Sequence, residues 1–324
     1  MQARVHAPTS VNLRRLAQAL RRGQLVAIPT ETVYGLAAHA LDAKACRAIF
    51  RAKRRPANDP LIVHVLALAE AEQLAEFNTP ARKLARRFWP GPLTLVLPKK
   101  PVVPGIVTSG GPTVALRAPA HPLARRLLRL AGIPLAAPSA NLFGYISPTT
   151  AAHVRAGLRG RIRHILEGGA CTVGVESTVL DLTNPRKPRI LRPGAVTAEQ
   201  LTHFLGRKVT GAKARRLNAR QLSPGMLERH YSPRTPLVLR HPAGKIPADV
   251  AVVLLRHPGK HPAKHVFWLS QRGALTEVAR NLYEVLRRAD AGRYRQIWVE
   301  PLAAEKGGLA AAIHDRLKRA AAKA

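Results

Sequence analysis

Short apolar runs alternate with helix-forming segments along most of this chain, and this alternation restricts the fold more than any other feature. Apolar runs that end in Gly, Pro or polar residues are typical of buried strands. In the first two-thirds of the chain they lie at residues 25–29, 61–65, 93–97, 114–116, 135–138, 178–181 and 190–192. Segments predicted to be helical lie at residues 11–22, 43–53, 70–76, 82–88 and 122–130. Further helices are predicted after Ser147 and Thr197. Because the strands are unevenly spaced, the sequence predicts a mixed α/β sheet.

The pattern changes at residues 205–235, which are rich in Lys, Arg, Gly and Pro and are therefore predicted to form a linker. A second unit follows, with strands predicted at 237–239, 250–255 and 297–299 and helices at 274–289 and 306–320. We therefore predict an α/β domain over 10–204, a linker over 205–235 and a small α/β domain over 236–324.

The composition is compatible with ordinary buried cores, because 46% of the 324 residues are hydrophobic. Two cysteines, Cys46 and Cys171, are too few for a disulfide framework or a cysteine-based zinc site. The sequence predicts no membrane span, and residues 1–10 lack the apolar segment of a secretory signal. We therefore expect a soluble, cytoplasmic protein.

The chain is strongly basic, with 53 Lys and Arg against 18 Asp and Glu and a net charge of +35. The excess is spread over both halves of the sequence. A polyanionic partner, such as RNA or a phosphate-rich substrate, fits this charge. A general codon bias toward Arg and Ala would produce the same composition, so the charge alone leaves both explanations open.

Several common catalytic motifs are absent from the sequence. It contains no P-loop G-x-x-x-x-G-K-[ST], no G-x-G-x-x-G after a strand, no H-E-x-x-H and no G-x-S-x-G. Any nucleotide must therefore bind in another kind of pocket.

Polar segments follow several predicted strands, where loop residues commonly line clefts. After residues 30–35 (TETVYG), Lys53 and Arg55 stand two apart on a proline-fixed loop. Such a pair can hold a phosphate, with the lysine as a point charge and the arginine as a fork. A solvated helix end explains it equally well. His64 is likewise typical of a buried core residue, and Arg117 of a surface residue at a strand end.

The most specific polar segment is 137–141 (APSAN), which leads to a predicted helix N-terminus at 147–149 (SPT). Free backbone amides at a helix N-terminus favour anions. Segments 176–179 (ESTV) and 191–194 (LRPG) also place polar side chains at strand ends. Each of these segments therefore places polar groups at the end of a predicted strand, where loop residues commonly line clefts.

In this combination the segments resemble the YrdC-like family, specifically the long, two-domain form of the L-threonylcarbamoyladenylate synthases. The matching text, in the family's order across residues 12–200, reads PTETVYGL, IFRAKRRP, DPLIVHV, WPGPLTLVLP, VALRAPAHP, APSAN, SPT, ESTVLDL and ILRPG. The family's K-x-R and S-x-N pairs correspond to Lys53 with Arg55 and Ser139 with Asn141. Residues 222–233 (LSPGMLERHYSP) match the long form.

The resemblance implies a YrdC-like twisted mixed sheet with an open basic cleft. It also implies a small C-terminal Rossmann-like α/β domain, joined by an ordered linker that acts as a lid. The implied reaction joins L-threonine, bicarbonate or CO2, and ATP into threonylcarbamoyl-AMP and pyrophosphate, for threonylcarbamoyladenosine modification of tRNA. Mg²⁺ would be held mainly by the ATP phosphates, and no residue is assigned as a metal ligand.

The resemblance also implies roles for individual residues, among which Lys53 and Arg55 are expected to be catalytic. The expected threonine contacts are Thr32, His64, Arg117 and Ser177. The expected ATP contacts are Lys53, Arg55, Asp59, Thr113, Ser139, Asn141, Ser147, Arg192 and Tyr231. An acid near phosphates is unfavourable, and many relatives carry Asn at the position of Asp59.

A second hypothesis comes from a different class of protein, a non-catalytic RNA-binding module that assists tRNA or ribosome maturation. The net charge favours it, whereas the complete series of substrate motifs favours the enzyme. Direct docking of tRNA, or of the downstream threonylcarbamoyl transferase, is left open by the sequence.

Overall fold

Two β-sheets organise the computed structural model, which describes residues 3–211, 230–242, 246–259, 262–302 and 307–322. Eleven strands form the larger sheet: β1 Arg4–His6, β2 Val26–Ile28, β3 Gly35–His39, β4 Ile62–His64, β5 Leu93–Pro98, β6 Thr113–Arg117, β7 Leu135–Ala136, β8 His164–Leu166, β9 Thr178–Asp181, β10 Arg189–Arg192 and β11 Thr210–Gly211. Their order is β1-β8-β2-β3-β7-β4-β6-β5-β9-β10-β11, with both parallel and antiparallel pairs.

The smaller sheet has four strands: β12 Leu237–Leu239, β13 Val250–Arg256, β14 Val266–Ser270 and β15 Gln296–Val299. They pair in the order β12-β15-β13-β14, and each pair is parallel. The fold prediction, a mixed sheet followed by a parallel α/β unit, is confirmed.

The described helices pack on the two sheets and have these bounds: α1 Ser10–Arg21, α2 Ala43–Lys53, α3 Leu68–Glu72, α4 Thr79–Phe88, α5 Pro122–Ala131, α6 Ala151–Gly157, α7 Ala198–Leu205, α8 Leu275–Ala291 and α9 Gly308–Ala321. Several of these helices begin at an N-cap residue of a type that commonly accepts hydrogen bonds from the first backbone amides of a helix. Asp42 accepts from two backbone amides at the start of α2, and Thr197 with Gln200 forms a capping box on α7. These local signals explain why most predicted helices lie close to the observed ones. The predicted helix N-terminus at 147–149 is wrong, because Thr150 is the N-cap of α6 and the Ser147 hydroxyl donates to Glu176 instead.

Five strands were missed from the sequence, namely β1, β3, β8, β11 and β14. Strand β3 has the sequence GLAAH, whose small residues have low strand propensity, yet it is buried between β2 and β7. Strand β14 carried a usable signal, because Val266–Ser270 (VFWLS) is nearly continuous in apolar residues.

The predicted domain boundaries stay a prediction, because residues 212–229 of the linker lie outside the described residues. Strand β11 extends the larger sheet to Gly211, beyond the predicted end of the first domain. One apolar cluster joins the two sheets, since Val33, Ile146 and Val175 pack with Tyr283 of α8 and Ile313 of α9. Within the described part of the chain, no helix is long and apolar enough to cross a membrane.

Candidate active site

An open cavity of about 520 Å³, open solvent included, is lined by strands of the larger sheet and by loops from both ends of its strands. Strands β4 and β6 are parallel and place His64 and Arg117 side by side in register. The loop after β2, the segment before β9 and the end of β10 contribute further residues to the same cavity. The cavity is lined by Thr30, Thr32, Val33, Gly35, Arg55, Ile62, His64, Arg117, Ala137, Pro138, Ser139, Glu176, Ser177, Arg192, His230 and Tyr231.

Arg117 and the loop after β2 form one wall of the cavity. The Arg117 guanidinium pairs with Glu31 at 2.6 Å and donates to the Thr32 hydroxyl at 2.9 Å. The Thr30 hydroxyl donates to the Val33 carbonyl and fixes the turn. Burial of the Glu31 carboxyl tends to raise its pKa, but Arg117 outweighs burial and leaves that pKa below the usual value. Arg117 therefore places a positive charge at the cavity surface, and the Glu31 carboxylate behind the lining partly neutralises it.

His64 is a buried, neutral imidazole beside Arg117. Burial, and then the neighbouring positive charge of Arg117, lowers the pKa of His64 to about 3. Its Nδ1 atom is buried and has no hydrogen-bond partner among the described residues. His64 lines the cavity, and this nitrogen can therefore form a hydrogen bond with a molecule that enters it.

Lys53 and Arg55 point in different directions although they are two residues apart. Lys53 is 1% exposed, and its Nζ donates to the backbone carbonyls of Ser139 and Asn141. Arg55 lines the cavity, pairs with Asp59 at 2.9 Å and donates to the Pro60 carbonyl. Burial lowers the pKa of Lys53 well below its ordinary value. Lys53 thus fixes the segment that presents Ser139, whereas Arg55 offers its charge to the cavity.

Ser177 and Arg192 form a further part of the cavity lining. Arg192 donates to the Ser177 carbonyl at 3.0 Å and to its hydroxyl at 3.1 Å. The Ser177 hydroxyl also shares a hydrogen bond with Thr94 of β5 at 2.8 Å. Glu176, directly before Ser177, accepts from the Ser147 hydroxyl at 2.6 Å.

His230 and Tyr231 close the cavity from the end of the predicted linker. Their rings contact each other at 4.1 Å, and His230 also meets Phe143 edge-on. Burial lowers the pKa of His230 to about 3 and raises the pKa of Tyr231. His230 Nδ1 and the Tyr231 hydroxyl are buried without a hydrogen-bond partner in the described part of the chain. Residues 222–229 of the linker that was predicted to act as a lid lie outside the described residues.

The structure brings eight of the predicted site residues together around the cavity: Thr32, Arg55, His64, Arg117, Ser139, Ser177, Arg192 and Tyr231. Lys53, Asp59, Asn141 and Ser147 lie behind the described lining and hold lining residues or their segments in place. Thr113 begins β6 and is therefore about 13 Å along the strand from Arg117, at 3.3 Å per residue.

Sequence reasoning gave no role to Glu31, Glu176, Tyr283 or Arg316, all of which contact lining residues or belong to the lining. A signal existed for the two glutamates, because each stands inside a polar motif of a chain with only 18 acids. The described residues contain no group of three or more His, Cys, Asp or Glu side chains arranged to hold a metal ion.

Comparison with known proteins identifies the class to which this fold and cavity belong. A family model for the Sua5, YciO and YrdC proteins, described as telomere recombination, matches residues 18–194. A second model, described as threonylcarbamoyl-AMP synthase, C-terminal domain, matches residues 196–322.

Individual relatives match over nearly the whole chain. The threonylcarbamoyl-AMP synthase of Pyrococcus abyssi is 42% identical over 322 residues, covering 95% of this chain and 93% of that protein. The Bacillus subtilis enzyme of the same name is 41% identical, covering 96% and 94%. The crystal structure of P. abyssi Sua5 complexed with L-threonine matches with a TM-score of 0.89 and 38% identity, covering 98% of both chains. The chain therefore belongs to the threonylcarbamoyl-AMP synthase family.

Proposed function

We propose that this protein makes threonylcarbamoyl-AMP and pyrophosphate from L-threonine, bicarbonate or CO2, and ATP. The observation that carries the proposal is the cavity itself, which combines three arginines with three buried polar atoms that lack partners in the described structure. The relatives named threonylcarbamoyl-AMP synthase support the same activity.

We assign the threonine side of the cavity to Thr32, His64, Arg117 and Ser177. Arg117 can pair with the substrate carboxylate, and the neutral His64 can share a hydrogen bond with a substrate hydroxyl or carboxylate. The P. abyssi relative was crystallised with L-threonine, which supports a threonine site in the family.

We assign the nucleotide side to Arg55, Ser139, Arg192 and Tyr231, with Lys53 and Asn141 holding the segment of Ser139. The carbamate oxygen of N-carboxythreonine attacks the α-phosphorus of ATP. The bond from that phosphorus to the β-phosphate bridging oxygen breaks, and pyrophosphate leaves with its electrons. Such a transfer depends on positioning and positive charge, which Arg55 and Arg192 supply.

The ATP phosphates would carry a divalent metal ion, for which we propose Mg²⁺. The donor set fits this arrangement, because the lining carboxylate of Glu176 already accepts hydrogen bonds on both oxygens. A metal ion bound to phosphates neutralises their charge and orients them.

The product would serve threonylcarbamoyladenosine modification of tRNA, through a transferase that accepts the mixed anhydride. We further propose that the enzyme works in the cytoplasm. Direct contact with tRNA is measurable by filter binding at rising salt, since phosphate contacts weaken steeply with salt.

The decisive test is pyrophosphate release from ATP that depends on both L-threonine and bicarbonate. Product analysis by mass spectrometry should show threonylcarbamoyl-AMP. A matched control omits each substrate in turn. Release that persists without threonine, or a complete lack of release, would contradict the proposal. Salt-sensitive RNA binding without turnover would favour the RNA-binding module instead.

A further inference from the structure

A buried carboxylate in the cavity wall, that of Glu176, is held by helices α8 and α9 of the C-terminal unit, the part that contains the smaller sheet. Both oxygens of Glu176 are bonded, Oε1 by the Ser147 hydroxyl and Oε2 by two groups of the C-terminal unit. The Tyr283 hydroxyl of α8 donates to Oε2 at 2.8 Å, and Arg316 Nε of α9 donates at 2.7 Å. Glu176 lines the cavity and directly precedes Ser177, so its position fixes that of a predicted substrate contact.

Arg316 also binds the second segment of the same wall. Its Nη2 donates to the carbonyl of Pro193 at 2.9 Å, and Pro193 directly follows the lining residue Arg192. The Arg316 guanidinium further lies 5.1 Å from the centroid of the Tyr231 ring. One fully buried side chain from α9 therefore contacts Glu176, Pro193 and Tyr231, which come from three separate segments around the cavity.

Two glycines show how closely these segments are packed. A Cβ at Gly174 would clash with the backbone of α8 at Arg280, and the glycine has a φ of +79°. A Cβ at Gly194 would clash with the backbone of 176–178. The loop that carries Glu176 is thus sandwiched between α8 and the turn after β10, with no space for side chains at the two contacts.

The charge of Glu176 needs compensation at this place. Burial tends to raise its pKa, but Arg316, Arg192 and the Ser147 hydroxyl together lower it to about 2, so the group is ionised. A buried carboxylate without its partner is strongly unfavourable, and it would also repel the phosphates of a bound nucleotide.

We propose that Arg316, assisted by Tyr283, is a positioning residue of the active site that is supplied by the C-terminal unit. It holds Glu176 and Pro193 in place, so that Ser177 and Arg192 keep their positions in the cavity wall, and it neutralises Glu176 behind that wall. The C-terminal unit is then an integral part of the site. This inference rests on the proposed function, because it concerns the same cavity.

The test compares Arg316→Met with a charge-neutral double variant, Arg316→Met with Glu176→Gln. We expect the single variant to lower kcat/KM for ATP about 10²-fold, mainly by raising KM, because it leaves an unpaired anion near the phosphates. The double variant should recover about tenfold of that loss, since it removes the charge that needs compensation. A merely structural role predicts that the double variant is at least as impaired as the single one.

Two further variants keep the test independent of folding. Tyr283→Phe removes a single hydroxyl, and we expect kcat/KM to fall about fivefold with a nearly unchanged Tm. Arg295→Met is the matched control, because Arg295 pairs with Asp249 on the surface of the same unit and should leave activity unchanged. A loss of activity in Arg295→Met equal to that in Arg316→Met would overturn the proposal.

Amide hydrogen exchange separates this proposal from the proposed function, because it needs no turnover. In the protein without substrates, the backbone amides of residues 173–178 and 191–195 should exchange faster in Arg316→Met than in wild type. Their exchange rates should be unchanged in Arg295→Met. Unchanged exchange of both segments in a folded Arg316→Met protein overturns the positioning role. If wild type lacks threonine-dependent pyrophosphate release, the proposed function fails while the exchange result still decides the positioning role.

Discussion

Two buried glutamate–arginine pairs support the cavity wall, and they differ in the parts of the molecule that they join. Glu31 and Arg117 belong to the larger sheet and its loops and lie 2.6 Å apart. Glu176 and Arg316 lie 2.7 Å apart and join the larger sheet to α9. In the first pair the arginine lines the cavity, whereas in the second it is the glutamate. The first pair therefore places a cation, Arg117, at the cavity surface. The second pair places the cation behind the lining, where Arg316 holds Glu176 in position.

The electrostatic consequence is similar for both carboxylates. Burial tends to raise the pKa of each one. Arg117 outweighs burial at Glu31, and Arg316 does so at Glu176 together with Arg192 and the Ser147 hydroxyl, so that both carboxyls stay ionised. What distinguishes the pairs is therefore access to the ligand and not protonation. Arg117 can exchange its hydrogen bonds with a bound carboxylate, while Arg316 is enclosed on all sides.

The largest expected effect comes from Arg117→Met, which we expect to lower kcat/KM for threonine about 10³-fold. The double variant Arg117→Met with Glu31→Gln should not recover activity, because the substrate carboxylate has lost its partner. The measurement is steady-state pyrophosphate release with threonine varied. Arg82→Met is the control, since Arg82 pairs with Glu72 on the surface. Recovery in this double variant would remove the contrast between the two pairs.

Substrate selection tests the same wall without mutation. L-Valine should be used at least about 10²-fold less efficiently than L-threonine, because Thr32, His64 and Ser177 would then lack a hydroxyl to bond. L-Serine, which keeps the hydroxyl, should be intermediate. Competing the three amino acids at fixed ATP measures the ratios. Equal use of valine would contradict the assignment of this wall to threonine.

Arg55→Ala and Lys53→Ala test the two basic residues of the K-x-R pair, of which only Arg55 lines the cavity. Each should reduce kcat by about 10²-fold or somewhat less. Each should also lower Tm by several degrees. Lys53→Ala removes a buried donor from two backbone carbonyls, and Arg55→Ala leaves the buried Asp59 carboxyl without its partner. Parallel turnover assays and thermal melts measure the two effects. An unchanged Tm for Lys53→Ala would show that its buried hydrogen bonds do not stabilise the segment.

The smallest expected effect concerns stability against pH. Burial holds the pKa of His64 and His230 at about 3, below the unfolded value near 6.5, so the unfolded state binds more protons between these limits. The free energy of unfolding should therefore fall as pH drops below about 6.5. Glu176, with a folded pKa of about 2, adds a loss only below about pH 4.5.

Urea denaturation at pH 7.0, 6.0 and 5.0 measures this dependence within the range where only histidines contribute. His64→Gln and His230→Gln should each reduce the slope by up to about 1 kcal/mol per pH unit. His203→Gln, at the exposed face of α7, is the control. A slope that neither variant changes would show that the two imidazoles take up protons in the folded protein.

Much of the local structure was predictable because local interactions decide it. The bounds of α2 were predicted residue for residue, since Asp42 caps one end and the apolar spacing stops at Lys53. The cap at Thr197 was found from the residue type alone. Strand β3 could not be found in this way, because small residues become a strand only when neighbouring strands enclose them.

The sequence by itself determined most of the elements, the order of the motifs and, through that order, the family. The tertiary structure decided which charged groups meet. Glu176 and Arg316 are 140 residues apart, and Arg117 and Thr32 are 85 apart. The K-x-R spacing likewise did not predict the different positions of the two side chains. Lys53 bonds the backbone of residues 139–141, whereas Arg55 lines the cavity. The physical reason is that local patterns record burial and backbone preference, whereas partners distant in sequence are brought together only by sheet order and the packing of helices.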